Sequence, residues 1–416
     1  MGSGSSTSGL CESPSYGVGA TSRLLSLGIP QICTSDMARR DWPREFPPSW
    51  PETSQTFSAL CCVMMSPVYE TPLRPLTRSG VCKREFISAS HAMRRAAELP
   101  DPDHRARSVR DGYVAGMALA LGIVTPVLHM NPRFDPPEWE VTAGVDDVVW
   151  VVQEAEKFGY DWVACSEHIA IPSAASTVRG GRYFDPFSTL GFLAAKTSRV
   201  GLLTHMAVLP YHHPLELVKR LGTLDVLSRG RVIAGIGVGS LKPEFELLGH
   251  EFDGRGERSD DAIRAIRAAW GQRVPEYHGT HYDFEGFIVE PSGLPRGVEI
   301  WVGGRTRRSL RRALELGDAW MPFGFKIDEL TERLTAATVR NDLARRAEEH
   351  GRPLKLILAP EPPIDPLGQP DRTAEFLASY VAIGATGFSV RFEHGSPAHF
   401  CEQMAALKSV VGAAGF

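Results

Sequence analysis

Three stretches of the chain place chemically capable side chains where apolar runs end. In DWVACSEHIAIP (161–172), Trp162, Val163 and Ala164 are followed by Ser166, Glu167 and His168 before Ile169 and Ile171 restore the apolar pattern. An imidazole titrates near pH ~6.5, so His168 can give or accept a proton at neutral pH; a histidine that only caps a loop would occupy the same position. Glu167 reads as a structural hydrogen-bond partner. In GLLTHMAVLPYHHP (201–214), Thr204 and His205 interrupt an apolar run, and Pro210 and Pro214 fix its exit. A polar break of this kind points to a bulge lining a pocket, with a solvated strand end as the alternative. The YHHP tail has no carboxylate nearby in sequence, so no metal site is read there. In IWVGGRTRRSLRRA (300–313), a strand ends in Gly303 and Gly304, and Arg305, Arg307 and Arg308 crowd the start of a helix. Arginines oppose the positive end of a helix dipole unless an anion rests there, so this stretch reads as a phosphate seat.

Two further stretches carry weaker signals. AGIGVGSLKPEFELLG (234–249) places Gly235, Gly237 and Gly239 after a strand, but Ser240 and Lys242 stand where a dinucleotide fingerprint needs glycine. Its physical content is close approach of backbone to a ligand or a neighbouring strand. STVRGGRYFD (176–185) is a polar loop with paired glycines, either a lid or a surface excursion.

The elements that must position these residues follow a regular rhythm from Met117 onward. Strands are predicted at 119–127, 161–166, 199–208, 231–236, 298–303, 318–322, 354–359 and 386–391. Helical patterns lie at 144–158, 186–197, 214–228, 257–270, 305–316, 327–349, 371–382 and 396–412, several with proline in the first turn or glycine past the end. Short β-branched strands alternating with helices imply a parallel sheet covered by helices. Closed into a ring this is an α/β fold, a (β/α)₈ TIM barrel, with an open doubly wound sheet as the alternative. In such a barrel reactive groups gather where strands end, which is where Ser166, Glu167 and His168 stand.

Residues 1–116 differ in character. They are rich in Ser, Pro and Arg, show no sustained period, and are expected to be a low-order extension, with a short helix at 88–99. Met117, just before the first strand, is a candidate translation start, which would leave the extension outside the native product. Five of the seven cysteines fall in the first 82 residues, with no spacing that makes a zinc or disulfide framework. That pattern, with no secretory signal, points to a cytoplasmic protein. The formal net charge of −4 argues against a nucleic-acid partner, and no apolar run is long enough to span a membrane.

The motifs SEHI, LLTHMAVLPYHHPLELVKRLGTLDVLSRGRVIAGIGVGS, RGERSDDAI, YHGTHYDFEG and EIWVGGRTRRSLRRALELGDAWMP together resemble the luciferase-like monooxygenase superfamily. Within it they are similar to the branch of coenzyme F-420-dependent oxidoreductases. The resemblance covers roughly 117–416. It implies a barrel mouth that holds a flavin or deazaflavin, with His168 beside the reactive ring carbon. By position, Thr204, His205 and Met206 resemble the bulge that buttresses the ring, with a non-proline cis peptide at His205–Met206. Gly303, Gly304 and Arg305 resemble the cofactor phosphate loop. Ser240 stands where related sugar-phosphate dehydrogenases carry a glutamate proton donor, and His212 where close relatives have arginine.

What the resemblance implies is hydride transfer between a deazaflavin (coenzyme F-420) and a small organic substrate, with His168 handling the proton. An FMN-dependent two-component monooxygenase is the first alternative, and a non-catalytic flavin-binding protein the second. Relatives of this kind are frequently homodimers.

Overall fold

In the computed structural model, residues 119–416 are described. The predicted helix at 88–99 and the low-order extension lie outside the described residues. The strands, in chain order, are β1 (Ala120–Val124), β2 (Trp162–Cys165), β3 (Gly201–Thr204), β4 (Ala207–Val208), β5 (Val232–Gly237), β6 (Tyr277–His278), β7 (Asp283–Phe284), β8 (Glu299–Gly303), β9 (Ala319–Met321), β10 (Lys355–Leu358) and β11 (Gly387–Val390). All but β6 and β7 belong to one parallel sheet in the order β3-β2-β1-β11-β10-β9-β8-β5-β4, and a β3–β5 pairing closes it. β3 and β4 are two pieces of one barrel strand, since both pair with β5 on either side of the residues between them. The result is the eight-stranded barrel expected from the sequence. β6 and β7 form a small antiparallel hairpin outside it.

The helices follow the predicted pattern with four departures. The predicted helix 327–349 is broken at Ala336, whose backbone is extended, into Ile327–Thr335 and Ala337–His350. Three helices were not anticipated: Glu138–Thr142, Lys242–Leu247 and the single turn Ser176–Arg179 in the stretch expected to be a polar loop. No helix among the described residues is long and apolar enough to cross a membrane.

Two apolar clusters hold the barrel. The larger lies between strands and helices, where Leu190, Leu193, Val218, Ile263, Leu377 and Met404 are fully buried. The smaller fills the barrel interior with Trp162, Leu203, Trp301, Met321 and Ile357. The indoles of Trp162 and Trp301 meet edge to face, 4.9 Å apart, an arrangement that aligns the ring edge of one with the electron-rich face of the other. Gly122 makes this possible: a Cβ there would lie 2.0 Å from the Trp162 indole.

The segment TLDVLSRGR has a structural explanation. Asp225 is fully buried and accepts from the Leu294 N–H at 3.0 Å and the Arg296 guanidinium at 3.0 Å. Arg231 donates to the carbonyls of Ala194, Val200 and Ser228 and to the Thr197 hydroxyl. Asp225 thus takes up a loop N–H and a guanidinium, and Arg231 satisfies helix-end and loop carbonyls that would otherwise be orphaned.

Gly122→Ala should destabilise the barrel by about 1–3 kcal/mol, since the Trp162 ring is enclosed and must leave its rotamer. Urea unfolding followed by tryptophan fluorescence reads this; an unchanged midpoint would show that the indole has room to move.

Candidate active site

The site is built where β2, β3, β5 and β11 end. β2 runs out at Cys165, and the next three residues diverge. Glu167 turns inward: its Oε2 accepts from the Val208 N–H at 2.5 Å and its Oε1 lies 2.8 Å from His212 Nε2. Glu167 is therefore the structural partner expected, and His212, which stands where similar proteins often have arginine, makes this polar contact. His168 turns to the mouth, partly exposed, with its Nδ1 2.7 Å from Glu244 Oε2.

Glu244 was not anticipated, and it organises the site. It is buried, and its carboxylate gathers the His168 ring, the Ile169 N–H at 2.6 Å, the Ala170 N–H at 3.0 Å and the Tyr211 hydroxyl at 2.8 Å. Burial pushes its pKa up, but the hydrogen bonds from His168, Ala170 and Tyr211 outweigh that and hold it below the ordinary value of 4.5. Burial and the adjacent carboxylate push the Tyr211 phenol up, so it remains a donor. With Glu244 ionised, the short contact requires a proton on His168 Nδ1. Nε2 has no protein partner among the described residues.

The helix that carries Glu244 is held by a small apolar cluster. Phe245 is fully buried between Tyr211 and Phe252, at 4.8 and 5.2 Å between ring centroids. Gly239 lets Phe245 in: its φ is +73°, and a Cβ there would lie 2.6 Å from the ring. The glycine-rich turn thus serves close packing.

The β3–β4 break is the bulge that the sequence suggested, and the His205–Met206 peptide is cis. Its three residues divide the work. Thr204 is fully buried, and its hydroxyl donates to the Gly235 carbonyl at 2.7 Å. It therefore pins the bulge to β5. His205 donates its N–H to the Cys165 carbonyl at 2.8 Å, while its Nδ1 is buried without a partner. Burial and the charge of Arg391 pull His205 down to about 3, so its ring is neutral. Met206 packs against Gly237 and Gly303, and a Cβ on Gly303 would lie 2.6 Å from Met206 Cγ. Gly303 is buried, so its glycine identity reflects this contact with the bulge.

Beyond Gly303 the chain opens to solvent. Gly304 has a φ of +110° and its carbonyl accepts from Trp320 Nε1 at 3.1 Å. Thr306, rather than Arg305, caps the helix Arg307–Leu316, in a reciprocal pair with Ser309. Arg305, Arg307 and Arg308 are all exposed around that helix start, where the first backbone N–H groups lack intrahelical partners. The set suits an anionic tail.

The polar loop 176–185 is anchored across the mouth. Met130 N–H donates to the Arg182 carbonyl at 3.2 Å, and Gly180 passes so close to the Met130 carbonyl that a Cβ would lie 1.6 Å from it. This seats Tyr183 between two histidines, 4.6 Å from the His168 ring and 5.8 Å from that of His129. Burial first, then the charge of Arg391, pulls His129 down to about 3. His129 and Arg391 were not singled out from sequence. The rule that found His168, a polar residue directly after an apolar strand, applies equally to Arg391 after Val390. Of the aromatic residues near the rim, Phe187 and Phe325 serve packing, against His212 and Trp320.

The sequence profile of the luciferase-like monooxygenases matches residues 127–364, and the chain belongs to that family. An uncharacterized protein of Mycobacterium tuberculosis (strain ATCC 25618 / H37Rv) is 29% identical over 255 residues, covering 55% of this chain and 88% of that protein. An FMNH(2)-dependent dimethylsulfone monooxygenase of Pseudomonas fluorescens (strain Pf0-1) is 30% identical over 139 residues, 33% of this chain and 38% of that one. Among solved structures, an F420-dependent secondary alcohol dehydrogenase in complex with an F420-acetone adduct shares the fold with a TM-score of 0.55 at 14% identity, covering 72% of this chain and 99% of that one. The monooxygenase RslO1 from Streptomyces bottropensis does so with a TM-score of 0.55 at 20% identity, covering 70% and 98%.

Glu244→Gln should cost about 1–3 kcal/mol at neutral pH, because an amide cannot accept from all four donors. A carboxyl whose folded pKa lies below its ordinary value contributes stability that is present above that value and lost as pH falls through the folded one. The gap between wild type and variant should therefore narrow as the pH drops below the ordinary 4.5. Urea midpoints measured across that range check it; a constant gap would mean that Glu244 is not ionised in the folded protein.

Proposed function

We propose that this chain is an oxidoreductase that uses a deazaflavin, coenzyme F-420, to oxidise or reduce a small organic substrate. The observation that carries the reading is the His168–Glu244 pair: an imidazole at the barrel mouth whose Nδ1 is tied to a buried carboxylate and whose Nε2 has no protein partner. Removing or delivering a hydride at a carbinol carbon leaves a proton to be moved, and this arrangement suits that task.

The residues fit such a group. The exposed arginines and open N–H groups after Gly304 supply an anionic seat, and the buried, unpartnered Nδ1 of His205 presents a polar atom at the bulge. Bound deazaflavin would supply two-electron hydride chemistry, which no amino-acid side chain offers. His168 Nε2 would take the substrate's hydroxyl proton in the oxidative direction and return it in the reductive one. Glu244 would keep the ring in one tautomer. Tyr183 would close the rim beside the imidazole and help exclude water. The Met206 bulge, pinned by Thr204, would give the ring a fixed floor, so that positioning costs little at the moment of reaction. Arg305, with the helix start behind it, would hold the phosphate end.

A second reading, an FMN-dependent monooxygenase, is favoured by the sequence likeness to the dimethylsulfone enzyme. Anaerobic fluorescence titration with coenzyme F-420 and FMN separates the two. Tighter binding of F-420 is expected, and tighter binding of FMN would overturn the first reading in favour of the second. With the preferred cofactor, His168→Asn should lower turnover by roughly 10²–10⁴-fold while leaving cofactor affinity unchanged. Unchanged turnover would remove His168 from the chemistry.

A further inference from the structure

A recessed cavity at the mouth lies away from the diglycine. It has a volume of about 250 Å³ and sits between the segment after β1 and the segment after β11, lined by His129, Phe134, Pro363, Arg391, Phe392 and His394 among others. In the barrel's strand order, β1 and β11 lie on the opposite side of the ring from β8. A ligand whose tail occupies the seat after Gly304 therefore leaves this cavity for a second molecule.

Arg391 is the unusual group in it. Its guanidinium lies over the Phe134 ring, 4.4 Å from the centroid, and makes no ion pair with any carboxylate among the described residues. The acidic side chains that act on it are already engaged. Glu361 pairs with Arg133 at 2.8 Å. Glu140 accepts from the Val127 N–H at 2.7 Å and lies 3.4 Å from His394 Nε2. His394 accepts in turn from Trp139 Nε1 at 3.0 Å. Burial pulls Arg391 down to about 10, which still leaves it charged at neutral pH. The histidines around it cannot share a proton load: burial and the Arg391 charge keep His129 and His205 neutral, and burial lowers His394 to about 4.

The cavity is also rigidly shaped. Val127 adopts a φ of +72°, costly for a β-branched residue, and its N–H is held by Glu140. Arg391 is only partly exposed, and a charge withdrawn from water without a counterion is costly, a cost that an incoming group of opposite sign offsets. A guanidinium is also the side chain best matched to a planar oxyanion.

Building on the deazaflavin reading, we propose that Arg391 is the substrate-recognition residue and that the substrate is a small organic monoanion, a carboxylate or similar oxyanion on an apolar body. The anion meets Arg391, and the body lies against Phe134, Pro363 and Phe392. The cavity is smaller than the ~300–1,000 Å³ of drug-sized sites, so the occupant is smaller than a typical drug.

The test is isothermal titration of the full chain with benzoate and with benzyl alcohol, in the absence and presence of oxidised coenzyme F-420. Wild type should bind benzoate roughly 10- to 100-fold more tightly than the alcohol. Arg391→Gln should abolish that preference. Arg391→Lys, which keeps the charge but loses the planar fork, should weaken benzoate binding and leave benzyl alcohol unaffected. Arg311→Gln, on an exposed helix face, should change neither. Equal binding of both probes by wild type overturns the proposal, as does unchanged benzoate affinity in whichever Arg391 variant retains a cooperative melt. Cofactor affinity is read by fluorescence on the same samples. Cofactor binding without benzoate preference overturns the role of Arg391 alone, and benzoate preference without cofactor binding overturns the deazaflavin reading alone.

Discussion

The site depends on one buried carboxylate. Glu244 receives donors from two other segments: the His168 ring with two backbone N–H groups just after β2, and the Tyr211 hydroxyl beyond β4. A carboxylate out of water is tolerated only when its lone pairs are filled, and here every donor is supplied by the loops it holds in place. The loops are therefore fixed by satisfying the charge, and the charge is kept by the loops. The same contact fixes the His168 ring, because the ionised carboxylate places the hydrogen on Nδ1.

The rest of the mouth is arranged around a contrast in charge. Several histidines face it, yet burial and Arg391 keep His129 and His205 neutral. His168 differs in having a carboxylate partner, Glu244. The fold thus sets the Arg391 charge on the β11 side apart from the His168–Glu244 pair on the β2 side, with Tyr183 between the His168 and His129 rings.

Much of the barrel was legible in the sequence because each strand is a short apolar run bounded by turn signals, and each helix carries its own boundary residues. The break at Ala336 was not, since LTAATVR contains neither glycine nor proline and local propensity favours continuing the helix. Leu330 and Leu334 bury one half, while the other half buries little beyond Arg346, so tertiary packing decides the bend. In the site, His168 and the bulge were visible as polar interruptions of apolar strands. Glu244 was not, because in SLKPEFELLG it looks like any charge on a short solvated helix. Its partners lie 33 to 76 residues away in the chain, and a contact of that range leaves no local periodicity.

The contact between Met206 and Gly303 ties two regions that would otherwise vary separately. One belongs to the break between β3 and β4, the other to the end of β8, and they share a single small volume inside the barrel. Any lineage that enlarged residue 303 would have to trim residue 206, and the bulge would shift with it. Reshaping this part of the mouth is therefore a coupled exchange at both positions.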